Sequence, residues 1–105
     1  MSAKETAAVG QLLELLESRY ALRVMWALKD GHPQTFRILQ DSIGTITPNT
    51  LNTRIKELRE VDIIERTNDG YQLTQRGEEL MELLRPFGEW SWVWSKEVFN
   101  FTKHV

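Results

Sequence analysis

Residues 35–74 read TFRILQDSIGTITPNTLNTRIKELREVDIIERTNDGYQLT, and this stretch decides the fold. Its apolar spacing and turn residues divide it into a short helix, a tight connection, a capped second helix and a β-hairpin. A helix-turn-helix that runs directly into a hairpin is the plan of a winged helix. We therefore predict a mainly α fold with a small β-hairpin, a winged helix-turn-helix whose second helix reads a DNA major groove.

The second helix of this stretch is predicted over residues 47–61. Thr47 caps its N-terminus, and Pro48 takes the first helical position, which suits proline. Apolar residues recur at positions 51, 55 and 58 and form one buried stripe. At about 100° per residue, the opposite face carries Asn49, Thr53, Lys56 and Glu60, and the flanks carry Thr50, Asn52, Arg54 and Arg59.

The residue types on this face suit DNA recognition. Asparagine and threonine hydrogen-bond base edges, which makes Asn49 and Thr53 the first base-reading candidates. Arginine, lysine and a helix N-terminus suit phosphate, although Arg54 lies beside the buried stripe and is equally a structural candidate. The predicted DNA contacts are Thr47, Asn49, Thr50, Asn52, Thr53, Arg54, Lys56, Arg37 and Arg66. The competing interpretation is a solvated helix face with ordinary caps and surface charges.

Flanking elements complete one winged-helix domain over residues 1–105, since no segment resembles a linker. Ser18 and Thr74 are predicted N-caps, and Pro86 should break the last helix near Arg85. The predicted elements are helices over residues 4–16 and 19–29, a helix between Thr35 and Ile43, the helix over 47–61, strands over 63–67 and 71–74, and a C-terminal helix from residue 75.

The two terminal helices, over residues 4–16 and 75–101, carry apolar residues on more than one side. A helix that is apolar on two sides must bury both, so one side should cover its own domain and the other a second copy. We therefore predict N- and C-terminal dimerisation helices and a homodimer. The predicted interface residues are Leu12, Leu13, Leu16, Phe87, Trp90, Trp94 and Val98.

Four tryptophans in a chain of 105 residues allow a second interpretation. Trp26, Trp90, Trp92 and Trp94 could line a pocket for a flat aromatic or cationic small molecule. Core and dimer contacts are the favoured interpretation, because a small domain has few other large side chains for its interface.

Composition excludes several classes of function. The chain has no cysteine, and its histidines, His32 and His104, lie far apart, so we expect no enzyme, no cofactor and no metal site. No apolar run approaches a membrane span, which predicts a cytoplasmic protein. The net charge is −2, which weakens the case for a DNA-binding protein because phosphate neutralisation carries much of DNA affinity.

The ordered motifs resemble the HxlR-type winged-helix transcriptional regulators of bacteria and archaea. The resemblance rests on the series Phe36…Leu39, Ile46-Thr47-Pro48…Leu51…Arg54-Ile55…Leu58, Ile63-Ile64-Glu65-Arg66 and Tyr71-Gln72-Leu73-Thr74…Gly77…Leu80. It implies a homodimer built from the terminal helices, with two recognition helices on a palindromic double-stranded operator. Repression by promoter occlusion is the expected mode, and activation is equally open chemically.

Two departures from the family pattern limit what the resemblance implies. The family's redox sensors use an N-terminal cysteine, which this chain lacks, so thiol sensing does not carry over. The wing tip, Asn68-Asp69-Gly70, is not basic. With the acidic balance, this keeps open a protein-interaction module without specific DNA binding, and a regulator that also senses a small molecule through the tryptophans.

Overall fold

The computed structural model describes residues 1–99 and confirms a mainly helical chain with one β-hairpin. The end of the predicted C-terminal helix, including Phe101, lies outside the described residues. The elements in chain order are α1 Ala3–Leu16, α2 Ala21–Ala27, α3 Phe36–Ile43, α4 Pro48–Glu60, β1 Ile64–Thr67, β2 Gly70–Leu73, α5 Gln75–Leu84 and α6 Pro86–Val98.

Hydroxyl caps set the start of α1, α3, α4 and α5. The side chains of Thr35, Thr47 and Thr74 each accept a hydrogen bond from a backbone N–H of the first helical turn, which confirms the predicted caps Thr47 and Thr74. Ser2 caps α1 in the same way, and the Glu5 carboxylate accepts a hydrogen bond from the Ser2 backbone N–H. The sequence alone therefore places four helix starts to within a residue.

The core forms around α4, whose apolar stripe shares one cluster with residues of α2 and α3. Leu51 and Leu58 are fully buried and Ile55 is 3% exposed, so the predicted apolar stripe of α4 is confirmed. They pack in one cluster whose other members include Val24, Met25, Leu28, Leu39, Ile43, Ile46, Ile63, Ile64, Leu73, Met81 and Leu84. Burying this stripe turns the opposite face of α4 to solvent.

The hairpin is a two-stranded antiparallel wing anchored to the segment before α3. Thr67 pairs with Gly70 across a two-residue loop. The backbones of Gln34 and Tyr71 exchange two hydrogen bonds of 2.8 Å, which extends the pairing beyond the hairpin. A Cβ at residue 70 would lie 2.5 Å from the Gln34 carbonyl carbon, so this approach requires glycine.

The prediction for α2 is wrong at both ends. The helix spans Ala21–Ala27, not residues 19–29, and its N-cap is Tyr20 rather than Ser18. Tyr20 has a φ of 75°, the left-handed region that costs an L-residue energy, and its ring packs against the core. Because of this tertiary contact, which local sequence does not reveal, the helix begins two residues later than predicted. Leu22 is 37% exposed, so α2 also has a solvent-facing side.

Pro86 ends α5 and begins α6, as predicted. The Arg85 guanidinium lies at the junction and donates to the Lys29 carbonyl oxygen at 2.9 Å and to Glu82 at 2.8 Å. These bonds fix the start of α6 against the end of α2. Helix α6 itself has no buried residue in the single chain.

Gly77→Ala tests the close packing of α5 on the wing. Alanine normally stabilises a helix relative to glycine by up to about 1 kcal/mol. At residue 77, however, the new Cβ would collide with the Ile63 carbonyl oxygen. We expect the free energy of unfolding in urea to fall by about 1–3 kcal/mol.

Gly10→Ala is the matched control, because no heavy atom lies within 4 Å of the Cβ position at residue 10 in α1. This variant should keep or raise the free energy of unfolding. Equal stabilisation by both substitutions would show that α5 does not pack against Ile63 as described.

Candidate nucleic-acid interface

The solvent face of α4 is polar and uncharged at its N-terminal end. Asn49, Asn52, Thr53 and Lys56 are exposed and Thr50 is half-buried. Residues 42–56 contain no aspartate or glutamate, so no carboxylate of this segment repels an approaching phosphate. The helix N-terminus adds a partial positive charge of about 0.5. The structure thus brings the predicted base-reading residues together on one accessible surface.

The threonine hydroxyls on this face already make hydrogen bonds within the helix. Thr53 donates to the Asn49 carbonyl oxygen at 3.0 Å, and Thr47 donates to the Thr50 hydroxyl at 3.0 Å. These hydroxyls keep acceptor capacity, and the Thr53 methyl group can contact a thymine methyl. The amides of Asn49 and Asn52 are the side chains on this face best suited to bidentate readout.

Arg54 lies apart from this surface. Its side chain is 19% exposed, and its guanidinium forms an ion pair with Glu57. Its Nε donates to the Arg19 carbonyl oxygen at 2.7 Å. Arg54 therefore connects α4 to the turn between α1 and α2. This arrangement favours the structural role that its position beside the buried stripe had left open.

Tyr20, in the same turn between α1 and α2, forms a second hydrogen bond to the helix-turn-helix. Its hydroxyl lies 3.2 Å from the Thr45 hydroxyl, in the connection between α3 and α4. This hydrogen bond lowers the pKa of Tyr20, and the positive charges of Arg19 and Arg23 act in the same direction, while desolvation opposes them. The pattern of apolar residues gave no signal for this contact, which spans 25 residues of sequence.

Four exposed basic side chains lie on the helix-turn-helix and the wing: Arg37 on α3, Lys56 and Arg59 on α4, and Arg66 on β1. The Arg66 guanidinium lies 5.8 Å from the centre of the Tyr71 ring, and this cation–π contact holds the Arg66 side chain against the second strand of the wing. Arg59 was not among the predicted DNA contacts, although its position on the flank of α4 could have indicated it. It shares a recess of about 380 Å³ with Asn52, Ile55, Lys56, Glu60 and Tyr71.

The four tryptophans do not converge on one pocket in the single chain. Trp26 lines a groove between α2, α3 and α6, but the residues that line this groove do not include Trp90, Trp92 or Trp94. Trp90 and Trp94 stack with ring centres 5.9 Å apart. Trp92 lies elsewhere on α6, where the Lys96 ammonium is 5.8 Å from its ring centre.

Most of the predicted dimer residues are uncovered in the single chain. Leu12 and Leu13 are exposed on α1, whereas Leu16 packs against the core. On α6 the exposed members are Phe87, Trp90, Trp94 and Val98, each at least 42% accessible. An apolar surface of this kind on two helices is typical of an interaction site.

Within residues 1–99, no group of three histidine, aspartate or glutamate side chains is placed to hold a metal ion. None of the helices in this same range is long and apolar enough to cross a membrane.

Comparison with known proteins decides the family, because the model of the HxlR-like helix-turn-helix family matches residues 15–99. The chain belongs to the HxlR-like family. An uncharacterized HTH-type transcriptional regulator of Halalkalibacterium halodurans is 28% identical over an alignment of 88 residues, and the match covers 77% of this chain and 78% of that protein. The family match confirms the resemblance stated from the motifs.

Solved structures of similar proteins support the winged-helix fold. The quinone-bound YodB of B. subtilis superposes with a TM-score of 0.73 at 28% identity, over 81% of this chain and 96% of its own. A possible HxlR family transcriptional factor of Thermoplasma volcanium gives a TM-score of 0.73 at 28% identity, over 81% and 82% of the two chains. As an HxlR-like protein, the chain is a DNA-binding transcriptional regulator.

Arg54→Met separates a structural role from a phosphate contact. Methionine keeps the aliphatic stem but removes the donors to Arg19 and Glu57. We expect the free energy of unfolding to fall by about 1–2 kcal/mol in urea denaturation. Arg59→Met, on an exposed position of the same helix, should leave stability nearly unchanged.

A different outcome for Arg54→Met would contradict its structural role. If Arg54→Met is as stable as the parent protein and instead reduces the salt dependence of DNA binding, then Arg54 contacts phosphate and the tie to Arg19 is not structural.

Proposed function

We propose that this HxlR-like regulator acts as a homodimeric repressor on a palindromic operator in the cytoplasm of a prokaryotic cell. The observation that carries the proposal is the exposed polar face of α4, which has no acidic residue between Asn49 and Lys56 and lies opposite a buried stripe. A helix held in this way enters a major groove as a rigid element. Repression then follows when the bound dimer occludes a promoter.

The reading residues fit one half-site. Asn49, Thr53 and Lys56 follow each other along α4 at intervals of four and three residues, so they share one face. At a rise of 1.5 Å per residue, this row spans about 10 Å, which corresponds to about three base pairs. A second copy would present the same row about one helical turn away on the operator.

Asn49→Ala and Lys56→Ala test base reading against phosphate contact. Sites are first selected from a random DNA pool, and the best site is then titrated at two salt concentrations. Asn49→Ala should cost about 1–3 kcal/mol on the preferred site and relax the preference at one position of each half-site. Lys56→Ala should weaken all sites alike and reduce the salt slope by about one.

Lys4→Ala, on an exposed position of α1 remote from α4, is the charge-matched control and should change neither property. An unchanged site preference in both Asn49→Ala and Thr53→Ala would place base reading on another face.

The proposed dimer covers the exposed apolar residues of α1 and α6. Trp90 and Trp94 form a stacked pair, and Trp94 also meets the Phe99 ring edge to face at 5.0 Å. Stacking orders these side chains at the surface, which lowers the entropy that association must overcome. A second copy satisfies this surface because the same patch occurs on both chains.

Trp94→Glu tests this interface by sedimentation velocity. Burying a carboxylate opposite an aromatic patch is expensive, so we expect monomers, or a dissociation constant raised at least about 100-fold. Trp92→Glu places the same charge on another side of α6 and should leave the dimer intact. A stable dimer of the Leu12→Glu, Trp94→Glu double variant would refute the proposed interface.

A protein-interaction module is the second candidate function, favoured by the net charge of −2 and the non-basic wing tip. The salt titration distinguishes the two, because phosphate contacts give a steep negative slope and an apolar interface does not. The absence of any selected site at low salt would favour the protein partner.

A further inference from the structure

A groove of about 710 Å³ lies away from the α4 surface, between α2, the end of α3 and the start of α6. Its floor includes Ile43 and Leu84, which belong to the core, and Trp26 and Phe87 form part of its walls. A volume of this size matches the clefts that hold small organic ligands. The lining is mainly apolar with the two hydroxyls of Ser42 and Ser91.

The charge of the groove selects a class of ligand. Arg23 and Lys29 are the charged side chains among the described residues that line it, and both are positive in a chain of net charge −2. The Lys29 ammonium lies 5.6 Å from the Trp26 ring centre, and Asp30, at 3.6 Å from that ammonium, is not part of the lining. Apolar walls with positive charge at the rim suit a flat molecule that carries an anionic group.

Gly88 keeps this groove open. It lies within α6, where glycine costs about 1 kcal/mol relative to alanine. A Cβ at residue 88 would meet the Trp26 ring at 3.5 Å, which is ordinary contact, so the backbone does not require glycine there. A longer side chain would instead extend over the indole ring and occupy the space.

We propose that this groove binds an aromatic carboxylate, with the ring against Trp26 and Phe87 and the carboxylate at Arg23 and Lys29. The proposal goes beyond DNA binding and changes the predicted ligand class from aromatic or cationic to aromatic and anionic. The groove touches Ser42 and Ile43, next to the connection that leads to α4, and also Phe87 and Ser91 of α6. Its occupant would therefore contact both the helix-turn-helix and the proposed dimerisation helix.

Titration calorimetry with 2-naphthoate tests the proposal without DNA, so it does not depend on the operator experiment. The neutral 2-naphthalenemethanol and the cationic 2-naphthylmethylammonium have the same ring and serve as matched probes. We expect one saturable naphthoate site per chain, at least about tenfold tighter than either matched probe. Equal binding of the three probes, or no binding of naphthoate, would overturn the proposal.

Three variants locate the site. Arg23→Gln, at an exposed position, should weaken naphthoate about tenfold and leave the alcohol unchanged. Gly88→Leu should abolish binding of naphthoate, whereas Gly88→Ala should preserve it. Naphthoate binding that survives Gly88→Leu would place the ligand elsewhere. A groove covered by the second copy would give no binding in the parent protein and would equally overturn the proposal.

Discussion

The burial of Leu51, Ile55 and Leu58 against α2 and α3 is the constraint on which the rest of the structure depends. Each such side chain contributes about 1.5–3 kcal/mol on burial, so the three together approach the net stability of a small domain. Rotating α4 about its axis would expose them, which fixes its rotation within narrow limits. The polar row from Asn49 to Lys56 faces solvent as a consequence, and its position is therefore as rigid as the core itself.

The turn between α1 and α2 makes this arrangement more specific. Arg54 ties it to the middle of α4, and Tyr20 ties it to the connection that leads into α4. The left-handed backbone at Tyr20 carries a conformational cost, which these contacts offset. The contacts of Arg54 therefore stabilise the fold, although the residue lies on the helix that carries the predicted DNA contacts.

The parts of the structure that sequence could predict are those governed by local chemistry. Thr47, Pro48 and Thr74 mark helix starts through their own backbone and side-chain geometry. Asp62, directly after α4, has a φ of 62°, a left-handed conformation that aspartate tolerates. The start of α2 escaped prediction because it depends on Tyr20 and Thr45, which are remote in sequence. The groove beside Trp26 could not be predicted for the same reason, since its lining residues come from helices that meet only in the folded chain.

The net charge of −2 is a poor guide to the DNA-binding surface, because charges are felt over about one Debye length, 8–10 Å at ordinary ionic strength. Several carboxylates near α4 already have partners: Glu57 pairs with Arg54, Asp62 lies 3.7 Å from Arg76, and Glu65 accepts from Gln72 at 2.8 Å. The first two turns of α4 contain none. The two carboxylates of α4, Glu57 and Glu60, lie in its last turn, at the end opposite the positive N-terminus of the helix. Acidic residues of α5 and α6 add to the total charge, yet they lie outside the helix-turn-helix. The groove beside Trp26 shows a similar local pattern, because the charged side chains among its described lining residues are Arg23 and Lys29.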